Sequence, residues 1–173
     1  MPADGLLHPV ALVALLVLLV NDHVLKAAWP GALTGKLSDI AGLVLAPLVL
    51  QAAWEVGAWT VGGRWGPSVR ALLVAAAIVG IGFVAVKTLE PAADVYRIGL
   101  GALQWPFAAM LAVVGSGTLP DFRPVAFVAD PTDLIVLPAL LIPIIVGRRR
   151  GLRPAGGDRR RHEPDAGRPD QGD

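Results

Sequence analysis

NDHVLKAAWPGALTGKLSDIAGL, residues Asn21 to Leu43, is the one polar-dense island in an otherwise oily N-terminal half. Runs of Val, Leu, Ala and Ile lie on both sides of it. The apolar run before it, Val10 to Val20, is too short to cross a hydrocarbon core of roughly 30 Å, which takes about 20 helical residues. A membrane-crossing helix must therefore continue through Asn21, Asp22 and His23 towards Lys26 and Trp29. Asp22 and Lys26 are four residues apart and can pair on one face. Trp29 suits an interfacial anchor, and Pro30-Gly31 ends the helix. Ionisable groups at or inside the edge of a membrane are costly, which marks the island as a functional-site hypothesis.

Composition agrees. With 54% hydrophobic residues in 173 and a mean hydropathy of +0.60, the chain is too apolar for a soluble domain. The net charge of +1 hides a split: the chain from Arg148 onward holds eight of the fifteen Lys and Arg residues. With no cysteine, a disulfide framework, thiolate metal sites and Cys nucleophiles are excluded. The first residues lack a basic n-region and a cleavage site, so the first apolar segment is read as a retained helix.

The pattern predicts an all-α, polytopic transmembrane helix bundle with about five spans, near 6–29, 38–61, 71–90, 98–116 and 131–147. The charged, Gly/Pro-rich segment 148–173 is expected to be a disordered cytoplasmic tail. Gly31 to Leu37 reads as a loop, with Thr34 or Ser38 available to cap the second span. Gly42, Ala46, Ala53 and Gly57 form small-x-x-x-small pairs suited to close helix contact. Trp54, Trp59 and Trp65 mark the far interface, and Glu55 is expected to reach headgroups or water there. Gly80 and Lys87 share a face of the third span, and Gln104 is expected to point at other helices. Asp130-Pro131-Thr132-Asp133 reads as a helix start with a cap and a proline at the first position.

Five spans put the termini on opposite sides. The Arg148-Arg149-Arg150 run argues for a cytoplasmic C-terminus and an outside N-terminus, in a bacterial inner membrane. In this topology Asp22, His23, Lys26, Lys36, Ser38, Asp39, Lys87 and Thr88 form one polar cluster at the cytoplasmic helix ends, with Asn21 and Glu90 nearby. Its charges of both signs can neutralise one another, so helix pinning competes with function. A second candidate cluster, Asp130, Thr132 and Asp133, lies a bilayer away unless Gly117 to Ala129 dips back into the membrane. Such backbone is tolerated only under protein or water.

His23 beside Asp22 and Asp39 has the chemistry of a metal or proton-relay site, but a single histidine without an H-x-x-x-H spacing assigns no metal. The segment Gly31 to Ser38 is not a phosphate loop, because only three residues separate its glycines and Leu37 follows Lys36. No cofactor is named by the residues. The expected partners are the bilayer, a second copy of the chain, and anionic headgroups at Arg148, Arg149 and Arg150. Nucleic acid is not among them.

The run Asn21-Asp22-His23, Leu25-Lys26, Pro30-Gly31, Leu33 to Asp39 and Ala41-Gly42-Leu43 resembles a family of small bacterial integral membrane proteins. Lys87-Thr88 and Asp130-Pro131-Thr132-Asp133-Leu134 are similar to its later motifs. The resemblance covers roughly residues 8–147. It implies a membrane protein whose polar residues act as one constellation, and it implies no activity. The residues alone support three readings: a small transporter or ion- or proton-coupled protein, an intramembrane enzyme acting on lipid with His23 as base, and a non-catalytic scaffold.

Overall fold

The computed structural model describes residues 3–62 and 68–151. Arg64 and Trp65 lie outside the described residues. Of the tail expected to be disordered over 148–173, residues 148–151 belong instead to the helical segment Leu141–Gly151, and 152–173 lie outside the described residues. Among those residues five helices are long and apolar enough to cross a membrane: α1 (Pro9–Ala28), α2 (Ala32–Thr60), α3 (Val69–Thr88), α4 (Glu90–Ser116) and α5 (Pro131–Arg149). The chain is an all-α, multi-pass membrane protein.

Each helix start has a local cause. The His8 ring accepts from the Val10 N–H at 3.2 Å, and Pro9 opens α1. Ser68 caps α3 by accepting from Ala71 N–H, and Asp130 caps α5 by accepting from Thr132 N–H. In α2, the Thr34 hydroxyl accepts from Gly31 N–H at 3.2 Å and reaches the Gly31 carbonyl at 2.9 Å. That brace starts the helix at Ala32, six residues before the expected Ser38, so Gly35-Lys36-Leu37 is helical and not a loop.

Two helices depart from α geometry. Asn21–Leu25 winds as a π-helical turn, with Lys26 N–H on the Asn21 carbonyl. Pro131–Leu140 is a 3-10 helix that relaxes to α-helix from Leu141. Three residues per turn stack positions three apart on one face, so Asp133 and Val136 are both buried.

Inward stripes follow the sequence spacing. On α1, Ala11, Ala14 and Asn21 are buried; on α2, Thr34, Ala41, Val44, Leu48, Ala52 and Glu55; on α3, Leu72, Ala76 and Lys87. Ala11, Leu48 and Leu72 form the core where α1, α2 and α3 meet. Gly80 lies so close to α5 that an added Cβ would sit 2.9 Å from Leu140 Cδ1. The small row Gly42, Ala46, Ala53 and Gly57 does not make the close contact expected of it: nothing lies within 4 Å of a Cβ built at Gly42 or Gly57. Ala41, Val44 and Leu48, on the neighbouring stripe of the helix, are the residues buried instead.

After α4 the chain doubles back. Trp105 Nε1 donates to the Pro120 carbonyl, Val125 N–H donates to the Arg97 carbonyl, and Arg97 Nε donates to the Phe127 carbonyl. Residues 120, 125 and 127 thus meet residues 105 and 97 in reverse order. An extended chain covers roughly 3.3 Å per residue against 1.5 Å in a helix, so the short segment 117–130 can retrace α4. It approaches so closely that a Cβ on Gly101 would lie 3.0 Å from the Arg123 carbonyl oxygen.

This return changes the topology. Ala3 N–H donates to Glu55 Oε2 at 2.9 Å at the end of α2, and Gly147 packs on Leu72 at the start of α3. Both ends of the described chain therefore lie at one end of the bundle, not on opposite sides as five plain crossings require. Asp130 and Asp133 begin α5 at the other end, beside the end of α3, so of the two expected arrangements the return of Gly117 to Ala129 holds and the bilayer-wide separation is corrected. Glu55 is buried and held by Ala3 N–H and Gln51 Nε2, not free at an interface. Gln104 is exposed and does not face other helices.

Candidate functional site

At the end of the bundle away from Glu55, four charged side chains from three helices alternate in sign. Lys87 Nζ of α3 lies 2.8 Å from Asp39 Oδ2 of α2 and 2.6 Å from Asp133 Oδ2 of α5. The second oxygen of Asp133, Oδ1, accepts from Lys36 Nζ of α2 at 2.6 Å. Lys36 Nζ also donates to Thr132 Oγ1 at 3.1 Å. The sequence Lys36–Asp133–Lys87–Asp39 sums to zero formal charge.

Lys87 is the most enclosed member, with its side chain 5% exposed, against 12% for Asp133, 19% for Asp39 and 27% for Lys36. Two of its three N–H donors reach carboxylates. Its ammonium also sits 5.4 Å from the Phe83 ring centroid and 5.0 Å from that of Phe127. Aromatic faces attract a cation most strongly when it is desolvated. Phe127 comes from the return segment and packs edge-on against Tyr96, centroids 5.0 Å apart. The retraced path therefore closes the lid of the ion cluster as well as delivering Asp133 to it.

A second polar line runs beside the first. Asn21 Nδ2 donates to the Thr34 carbonyl at 2.7 Å and to Ser38 Oγ at 2.6 Å. Ser38 Oγ donates to Asp22 Oδ1 at 2.6 Å, and Lys26 Nζ pairs with the same oxygen at 2.7 Å. Ser38 and Asp39 are adjacent on α2, so the two lines meet there. Asp22–Lys26 is the i,i+4 pair the spacing predicts, and it is well exposed.

The predicted residues thus divide. Asp39, Lys87, Asp133, Lys36 and Thr132 form the first line; Asp22, Ser38 and Lys26 form the second, with Asn21. His23 joins neither: it is exposed and its Nδ1 bonds the Leu19 carbonyl on its own helix at 3.0 Å. Thr88 likewise donates to the Val84 carbonyl of its own helix. Asp130 is a cap, and the Thr132 N–H it accepts holds its carboxyl below the usual carboxylate range. Among the described residues no three metal-ligating side chains of His, Cys, Asp or Glu converge.

Sequence reasoning missed Phe83, Phe127 and Thr34 as parts of this site. Phe83 was within reach, since it stands four residues before Lys87 on one helix face. Phe127 carries no such signal, because its position depends on the return path. Chemically, Asp133 is the hinge of the assembly. Protonating it weakens bonds to two lysines on two other helices in one event.

Comparison with protein-family models, with curated proteins and with solved structures finds no match.

Proposed function

We propose that the protein is a small ion- or proton-coupled membrane transporter whose coupling element is Asp133. The observation that carries this is one mostly buried carboxylate on α5 holding the ammonium groups of both α2 and α3. Ionisable residues in membrane segments that face one another and pair are the usual substance of proton relays. A proton on Asp133 would release Lys36, leave Lys87 to Asp39 alone and loosen the ionic hold of α5 on α2 and α3. The resemblance to small bacterial membrane proteins belongs to the same reading, with a bacterial inner membrane as the location and a second copy supplying the other half of a pathway.

The orientation follows the arginines. Arg148, Arg149 and Arg150 argue that their end of the bundle is cytoplasmic, and anionic headgroups are their natural contacts. The ion cluster, at the opposite end, then opens outward, and both chain ends face inward.

The test uses the purified chain in vesicles loaded with a pH-sensitive dye, under imposed Na⁺, K⁺ or pH gradients. Proton movement above that of empty vesicles is expected, with Asp133→Asn reducing it at least tenfold and Arg70→Gln, at the far end, leaving it intact. Wild type indistinguishable from empty vesicles under every gradient sinks the proposal. The rival reading is a scaffold, favoured by the full mutual pairing of the four charges. It predicts Asp133→Asn protein that loses stability and, where folded, moves protons as wild type does. A lipid-acting enzyme with His23 as base draws less support, since His23 lies outside both polar lines.

A further inference from the structure

We infer that Asn21 Oδ1, with Asp22 and Ser38, forms a site for a monovalent cation of the size of Na⁺. The inference rests on the ion-coupled reading above and names the coupling ion. Asn21 is fully buried, and its side-chain oxygen is the one buried polar side-chain atom among the described residues without a hydrogen-bond partner. Reversing the amide does not satisfy it. The Thr34 carbonyl can only accept, so the amide nitrogen must face Thr34, and the oxygen stays unpartnered. An orphaned buried acceptor costs about 1–3 kcal/mol, and occupation by a cation removes that cost.

The neighbours are oxygens of the right kind. Ser38 Oγ accepts from the Asn21 amide nitrogen, Nδ2, at 2.6 Å and donates to Asp22 Oδ1 at 2.6 Å, so a hydroxyl and a carboxylate stand beside the side chain whose own oxygen is unpartnered. Amide, hydroxyl and carboxylate oxygens suit hard cations. A single carboxylate favours one positive charge over two, since calcium sites gather several carboxylates. Asp22 is now held by Lys26 in a well-exposed pair, which is worth little and is easily surrendered. The backbone is also prepared: Asn21–Leu25 is a π-helical turn, a distortion that recurs at functional sites. Interrupted helices coordinate Na⁺ in many transporters. Ser38 adjoins Asp39, so occupation of this site bears directly on the Lys87 cluster.

The probe is Na⁺ itself, titrated at constant ionic strength against choline on the full chain in detergent. Unfolding temperature and Trp29 fluorescence are followed; Trp29 is joined to the site through the Thr34 hydroxyl, which reaches its carbonyl. Saturable stabilisation by Na⁺ of about 3 °C is expected. Asp22→Asn and Ser38→Ala should weaken Na⁺ binding at least tenfold, while Ser38→Thr, which keeps a hydroxyl, should restore it. Wild type that responds identically to Na⁺ and choline overturns the site and leaves a buried water as the partner of Asn21. Unchanged Na⁺ response in both weakening variants overturns it too, since the ion then binds elsewhere. If neither variant folds, the wild-type titration still decides. The titration needs no gradient, so silent vesicles with a positive titration refute only transport, and the reverse refutes only the cation site.

Discussion

The Lys36–Asp133–Lys87–Asp39 line and the Asp22–Lys26 pair are built from the same residue types at nearly the same distances, yet they differ in what they do to the fold. Asp22 and Lys26 belong to one helix and are each about two-fifths exposed. Lys87, Asp133 and Asp39 come from three helices and are largely enclosed. In the first case water competes for every bond. In the second, removal of Asp133 or Lys87 leaves an enclosed charge with fewer counter-ions and little water to replace them. Location, not ion-pair length, decides the energetics.

The largest expected effect is at Asp133. Asp133→Ala leaves Lys87 buried beside a single carboxylate and frees Lys36. Breaking a buried pair in this way costs about 3–5 kcal/mol, to be read as a lowered unfolding temperature or denaturant midpoint in detergent. If the loss proves no greater than for Lys26→Ala, the distinction between the two groups is wrong. The matching control is simultaneous replacement, Lys36→Met, Asp39→Leu, Lys87→Met and Asp133→Leu. Apolar replacement of a complete buried ion group is often neutral or stabilising, so this chain should be about as stable as wild type. It should also show no coupling.

An intermediate effect probes the packing that brings α5 to the cluster. At Gly80 a Cβ would stand 2.9 Å from Leu140 Cδ1, the far end of a flexible side chain. Gly80→Ala should therefore cost about 1–3 kcal/mol as overpacking, set against a helix-propensity gain of about 1 kcal/mol. The net loss is small, and Leu140→Ala in the same chain should remove the clash. A double-mutant cycle measured by thermal unfolding reads this as a coupling between the two sites. Additive effects would mean that α3 and α5 are not in register.

Much of this was legible in the chain. The inward stripe Ala11, Ala14, Asn21 and the stripe Leu72, Ala76, Gly80, Lys87 repeat at three, four and seven residues, so helical periodicity alone carries Asn21 and Lys87 towards the core. It also explains His23. Two residues beyond Asn21, at roughly 100° per residue, it comes round to the far side of the helix. The Asp130 cap and Pro131 start were equally local. The meeting of Asp133 with Lys36 and Lys87 was not, because it depends on segment 117–130 retracing α4. That path is fixed by three hydrogen bonds to Arg97 and Trp105, none of which has a sequence period. The early start of α2 was missed for a different reason: Gly31 and Gly35 read as loop residues, and Thr34 reverses that by bonding back to Gly31.

At the other pole of the comparison, Lys26→Ala should change stability by only about 0.2–0.5 kcal/mol, because an exposed i,i+4 pair gains little over hydration. Its effect should fade further in high salt, where exposed charges are screened over about 3 Å at 1 M.

The smallest effect is expected at Asp130, which is half-buried and makes no ion pair with the lysines of the cluster. The Thr132 N–H lowers its carboxyl below the usual range in the folded chain. Its contribution is therefore present above the ordinary carboxylate pKa and is lost as pH falls through the lowered folded value. An Asp130→Asn chain keeps an oxygen for the cap and removes the charge, so its unfolding temperature should match wild type at acid pH and fall slightly below it at neutral pH. Asp133 stands three residues away on the same helix start, with its N–H donating to the Asp130 carbonyl at 3.0 Å. An Asp130→Asn effect as large as that of Asp133→Ala would therefore mean that the cap, and not the buried ion line, holds α5 in place.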